Sequence, residues 1–264
     1  MNNTFSTKRC WLLFRKTLLE RPVQLFGFTA LILAIVLIIY VVCKSQIAFA
    51  PAQNISFLWG LAGGGCFLSS FIFSYFSSSA NGSSFLTLPA SAFEKWLCGV
   101  LIAGVLYPLI FLVFFRLMDT AFVTMFHNSL DPASPFYKRT YESVYVLPFD
   151  GTFAWKVYPM FIFFSGAMLL GSLYFNKVCF IKVALVICIV CIGGFGLNWL
   201  FAKLFFGTIN DAVPFRYVTL PVGNEEGSVE LPKSLSNFYY YSISYVIPVI
   251  LWLITYQRLR EKEF

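Results

Sequence analysis

Between Ser45 and Phe93 the chain runs for 49 residues without one charged side chain. A soluble domain carries about one charged residue in four, so a stretch of this length belongs in lipid. It is also too long for a single helix. About 20 residues, at 1.5 Å each, cross the roughly 30 Å of hydrocarbon in a bilayer. Pro51, Gln53 and Asn54 fall early in the run, which places a turn at Lys44–Ser56 and a membrane span at Phe57–Ser78. The preceding segment, Pro22–Cys43, is a second charge-free run of 22 residues. The whole chain of 264 residues is 59% hydrophobic and only 12% charged.

Repeating this division along the chain predicts an all-α integral membrane protein, a single transmembrane domain with six transmembrane helices. The spans are expected at about 22–43, 57–78, 96–115, 157–174, 180–202 and 238–257. The first apolar run begins only at Val23, is as long as a full span and lacks a small-residue cleavage site. A transmembrane helix is therefore expected there, not a signal peptide. Two polar loops, 116–156 and 203–237, separate spans 3 from 4 and 5 from 6. The first is too long to lack structure of its own, so a small folded cap is expected. His127, the only histidine, lies in it and reads as a solvated surface residue. Val229-Glu-Leu-Pro in the second loop reads as extended, and Ser77–Ser84 reads as a polar turn.

Small residues let membrane helices approach closely. Gly63, Gly64 and Gly65 in span 2, and Gly193, Gly194 and Gly196 in span 5, are read as packing faces or bends. Pro248 should kink span 6 by freeing the carbonyl of Ser244. Tyr239, Tyr240 and Tyr241 mark that span's interfacial aromatic belt. Of the seven cysteines, none falls in a long polar loop, where an oxidising compartment would permit disulfides. Cys188-Ile-Val-Cys191 has the spacing of a redox or metal pair but sits among Val and Ile, and reads as small apolar packing.

Six spans put both termini on one side, and the charges then sort. On that side eleven basic residues, among them Lys8, Arg9, Arg15, Lys16, Arg21, Lys95 and Lys177, face four acids. The other side has eight of each. The net charge of +7 thus lies with the termini, which the positive-inside rule assigns to the cytoplasm. Topology explains the charge, and no nucleic-acid partner is implied. Membrane lipids are.

Two stretches on that side carry recognisable local signals. In Thr7–Glu20, Trp11, Leu12, Phe14 and Leu18 gather at helical spacing, largely opposite Lys8, Arg9, Arg15 and Lys16. This is an interfacial amphipathic helix, with its apolar face in the headgroup region. Segment 84–95 joins spans 2 and 3 and contains a helix start. Ser91 and Glu94 fit a capping box, in which each side chain meets the other's backbone N–H. Pro89 disfavours helix at Leu88. Phe93, Glu94, Lys95 and Trp96 are expected to be exposed together where the helix meets the membrane surface.

Leu88-Pro-Ala-Ser91 followed by Glu94-Lys95 resembles the Leu-Pro-x-Ser segment between spans 2 and 3 of type-2 ABC exporter permeases. Leu170-Gly-Ser-Leu-Tyr-Phe175 and Phe180-Ile-Lys182 resemble the turn between spans 4 and 5 in one bacterial branch, and the order of spans agrees along nearly the whole chain. The chain departs at Ala92 and Phe93, where many members carry basic residues. The resemblance implies the fold of that family and a coupling segment (Leu88, Pro89, Ser91, Phe93, Glu94, Lys95 and Trp96) that docks on cytoplasmic ABC ATPase subunits. It also implies an N-terminal connecting helix that touches the ATPase, a second permease copy or paralogue, and residence in a bacterial inner membrane. ATP and Mg would be bound by the partner ATPase, with no cofactor in this chain.

Catalytic motifs are missing. No G-x-x-x-x-G-K-[ST], H-E-x-x-H or G-x-S-x-G occurs, so this chain is not expected to hold ATP through a P-loop or to be an enzyme itself. The expected span interiors carry no ionisable acid or base, which argues against a buried carboxylate relay. Two alternatives remain: a non-transporting scaffold or sensor, and a membrane-embedded lipid-modifying enzyme, for which His127 with Asp131 is the one candidate pair. The 32 Phe and 14 Tyr suit an apolar cargo path and a lipid-facing surface equally.

Overall fold

The structure is a computed structural model that describes residues 5–20, 22–77, 79–175, 178–222 and 225–262. Among these, six helices are long and apolar enough to cross a membrane, the make-up of a multi-pass membrane protein. Spans 1 to 6 are Val23–Gln46, Phe49–Ile72, Ala92–Asn128, Thr152–Tyr174, Cys179–Phe206 and Lys233–Glu261. Arg21, Lys177 and Glu263, counted in the charge sorting, lie outside the described residues.

The helices outrun their expected bounds mostly at the end away from the termini. The turn expected over Lys44–Ser56 shrinks to Ile47–Ala48, because Phe49 already begins span 2. Span 3 continues past Phe115 to Asn128, so Arg116, Asp119 and His127 are helical and the loop that follows starts only at Ser129. Polar side chains mark where lipid ends, not where a helix ends. A helix goes on wherever its backbone bonds continue and its side chains find partners. The Ser77–Ser84 turn is replaced by a short helix, Ser79–Leu86. Loop 203–237 folds into a three-stranded antiparallel sheet of β1 (Asp211–Val213), β2 (Tyr217–Val222) and β3 (Glu225–Glu230). Val218 sits opposite Val229 in it, so the extended expectation holds for Val229 and Glu230.

Among the described residues four spans contain a wide π-helical turn, at Val23–Gly27, Trp59–Gly63, Leu101–Leu106 and Ser242–Val246. Two of these directly precede a helix with Pro108 or Pro248 in its first turn. A proline ring collides with the carbonyl four residues back and offers it no N–H. A wider turn just upstream relieves the collision, and Ser244 lies inside the one before Pro248.

Span 4 lies centrally, packed on spans 2, 5 and 6. Spans 1 to 4 enclose an aromatic core of Tyr40, Phe57, Tyr107, Phe111, Phe115 and Phe161. Gly64 and Gly65 are close-packing positions, as expected. A Cβ on Gly64 would collide with the Tyr107 hydroxyl, and one on Gly65 with the Phe161 ring. Among the described residues, Gly63 meets only Trp59 of its own helix, and a would-be Cβ on Gly193 or Gly194 has no side chain or other segment within 4 Å. Their packing role within this chain is therefore corrected: span 5 lies at the edge of the bundle and presents its glycines outward. The most apolar stretch of span 5 is 6% buried, against 67% for span 2. Cys188 and Cys191 are exposed on the same span and line apolar grooves beside it, so they are not interior packing residues.

Candidate docking segment and the two ends of span 3

Span 3 starts where the sequence signals it. Ser91 caps the helix with extended backbone geometry, and its Oγ accepts from the Glu94 N–H at 3.2 Å. The Glu94 carboxylate accepts in return from the Ser91 N–H at 3.0 Å. Both halves of the capping box are present, so two backbone donors that a helix start leaves orphaned are satisfied.

Glu94 does more than cap. Its other oxygen accepts from the Ser6 N–H at 2.7 Å and from the Arg9 guanidinium at 3.3 Å. These two groups come from the start of the N-terminal helix (Thr7–Glu20), more than eighty residues away. Glu94 is thereby 0% exposed and Lys95 1%, which overturns the expectation that both lie on the surface. The N-terminal segment meets Glu94, and its helix packs along the first turns of span 3 and buries Cys10 and Leu13. The Lys95 ammonium lies 5.8 Å from the Phe85 ring, and Phe85 stacks on Tyr75. Burial together with the Glu94 charge raises the pKa of the Cys10 thiol, burial being the larger cause. Both disfavour a thiolate.

Phe93 remains on the surface at 41% exposure, flanked by Phe5, Trp96 and Tyr256 at ring distances of 5.7 to 6.0 Å. Pro89 is exposed and Leu88 half-buried. Trp96 is corrected: its indole N–H donates to the Trp252 carbonyl at 3.0 Å, so it fastens span 3 to span 6. The outward part of the segment is thus Pro89 and Phe93 and the inward part Glu94 and Lys95, while Leu88 and Trp96 are half-buried against the same core. On the N-terminal helix Trp11 and Leu12 are exposed, and Phe14 and Leu18 half-buried.

The other end of span 3 holds a group that sequence reasoning missed. Asp119 is 0% exposed. It accepts from the Tyr40 hydroxyl at 2.7 Å, the Gln53 amide at 2.8 Å and the Leu147 N–H at 2.7 Å. Gln53 also donates to the Tyr145 carbonyl at 2.9 Å. One carboxylate thus joins spans 1, 2 and 3 to the loop after span 3. A buried acid in span 3 corrects the expectation of none, an error that came from ending that span at Phe115. Gln53, a polar residue inside a long uncharged run, was the one available signal. His127 is corrected too. It stacks on Tyr141 with ring centroids 3.8 Å apart and its Nε2 sits 2.9 Å from the Val144 carbonyl, so that nitrogen carries the proton and donates. Asp131 turns to its own loop, accepting from the Ala133 N–H, and no His127–Asp131 pair forms. Among the described residues no three His, Cys, Asp or Glu gather to hold a metal.

Comparison with known proteins finds no matching family model, no matching curated protein and no matching solved structure.

Proposed function

We propose that this chain is the permease subunit of an ATP-driven ABC exporter. It would pair with a second copy or paralogue and take its energy from separate cytoplasmic ATPase subunits. The terminal end of the bundle would face the cytoplasm, in a bacterial inner membrane. The observation that carries the reading is the folded capping box at Ser91–Glu94 with Phe93 beside it on the surface. A helix start on the side of the termini, carrying one exposed aromatic, supplies a small knob for a partner's groove. The N-terminal helix is bonded to the same segment through Glu94, so a push on either would move both.

Truncating a buried aromatic anchor costs an interface about 2 kcal/mol or more. Tagged chain purified from its own membrane should carry ABC ATPase subunits and hydrolyse Mg–ATP. Phe93→Ala should lose both while expressing normally, and Phe136→Ala, at an exposed position in the opposite loop, should lose neither. Equal behaviour of the two variants would reject Phe93 as the docking contact and favour the scaffold reading.

A further inference from the structure

We infer that the groove between the N-terminal helix and span 3 is a binding site for an anionic phospholipid. The groove has a volume of about 340 Å³. Its upper wall is Phe5, Thr7, Cys10, Trp11 and Phe14, and its floor is the span 3 stripe centred on Val105. Leu101, Val105 and Leu109 follow one another at four-residue steps and together line the groove, along about 10 Å of a helix whose first turn here is the wider one at Leu101–Leu106. The lining is apolar apart from Thr7, and Val105 and Leu109 are exposed on the outer surface of the bundle. A hydrocarbon chain is the occupant that such a groove at the edge of a membrane span can take without leaving a polar group unmet.

Charge selects the headgroup. Lys8 and Arg15 are exposed and, three and four residues from Trp11 on one helix, lie on its face, which corrects the expectation that the basic residues stand opposite the apolar ones. Among the described residues neither makes an ion pair. Arg9 is different, since it turns inward to Glu94 at 3.3 Å. Two cations without an ion pair among the described residues thus flank the wall of an apolar groove, with Trp11 between them, a side chain suited to the headgroup level of a bilayer. An acyl chain along Leu101–Leu109 puts a phosphate within reach of Lys8 and Arg15, whose long stems can follow the surface. A headgroup with no positive charge of its own leaves both contacts favourable. Phosphatidylcholine does not, because its ammonium opposes them.

The site does not depend on the exporter function. The experiment is native mass spectrometry of the full chain in mild detergent, loaded with phosphatidylglycerol and phosphatidylcholine in equal amounts. The wild type should retain phosphatidylglycerol with a roughly tenfold preference, between the effects of one and two basic residues at an anionic surface. Lys8→Gln with Arg15→Gln should bring that ratio to about one while some lipid is still retained, since the apolar groove is intact. Val105→Trp fills the groove and should abolish retention of both lipids. Leu109→Trp, at the groove's far end, is a second blocking variant in case the first does not fold. Val113→Trp, exposed on the same helix beyond the groove, should behave as wild type. Equal retention of the two lipids by wild type would overturn the proposal. So would retention by both blocking variants equal to that of Val113→Trp.

Discussion

Glu94 and Asp119 stand near opposite ends of the same helix, about 37 Å apart at 1.5 Å per residue, and neither has any exposed surface. They hold their surroundings differently. Glu94 binds a local partner, Ser91, and a distant cation, Arg9. Its charge is compensated, and the N-terminal helix it recruits lies on the outside of the bundle. Asp119 is held by three neutral donors from three separate segments, with no salt bridge among the described residues. The first arrangement fastens an added helix to a finished core. The second is part of the core, because without the carboxylate its buried donors are left facing one another. A peripheral clasp can be released without unfolding; an internal one cannot.

The largest effect is therefore expected at Asp119. Asp119→Ala leaves the Tyr40 hydroxyl and the Leu147 N–H unmet, and each buried unmet donor costs about 1–3 kcal/mol. A loss of about 3 kcal/mol or more should appear as earlier thermal unfolding in detergent. Amide exchange at Leu147 should rise, while Cys10 at the other end stays protected. An unchanged melting temperature would place Asp119 on the periphery and erase the distinction.

Glu94→Gln should cost less. One carboxylate oxygen becomes an NH2 that cannot accept, so either the Ser6 N–H or the Ser91 N–H loses its acceptor, and the lost Arg9 pair is 31% exposed on the arginine side; about 1–2 kcal/mol is expected in all. Its clearest readout is Cys10. Burial and then the Glu94 charge push that thiol's pKa up, and only the thiolate is alkylated. In the wild type, maleimide labelling of Cys10 should therefore need more alkaline pH than a free thiol. In Glu94→Gln the repelling charge is gone, so the rate at a given pH should rise and the pH–rate curve should move to lower pH. Melting of the bundle and exchange at Leu147 should hardly change. A curve that does not move would mean that Glu94 does not hold the N-terminal helix.

The smallest effect is expected at Ser91. Ser91→Ala removes one cap bond and about 1 kcal/mol of local helix stability at most, because Glu94 is still held from the other side by Ser6 and Arg9. Faster exchange confined to Ala92–Glu94 is the expected result. Release of Cys10 in this variant would show instead that the cap and the clasp are one unit.

The start of span 3 was legible because a capping box is local: Ser91 and Glu94 are three residues apart, and each needs only the other. The far end was not legible. Tyr40, Gln53, Asp119 and Leu147 are separated by tens of residues, and no pattern of period or spacing links them. Hydropathy ended span 3 at Phe115 because it registers contact with lipid, whereas Arg116 lies over the Phe149 ring and Asp119 is enclosed by protein. Gly64 and Gly65 could be named as close contacts from composition alone. Gly193 and Gly194 looked the same in sequence, and only the outward position of span 5 separates the two pairs.

By itself, then, the sequence determined that the chain carries six helices long and apolar enough to cross a membrane, which residues form the N-terminal helix, and where the helix of span 3 starts. Apolar run length and helix capping act over a few residues, so each can be read from a window of the chain. Only the tertiary structure decided that Glu94 and Lys95 face inward, that Phe93 faces outward, and that a buried aspartate closes the far end. Those outcomes depend on which surfaces meet. A charged side chain is exposed or enclosed according to whether another segment brings donors to it, and that is fixed by packing across the whole fold.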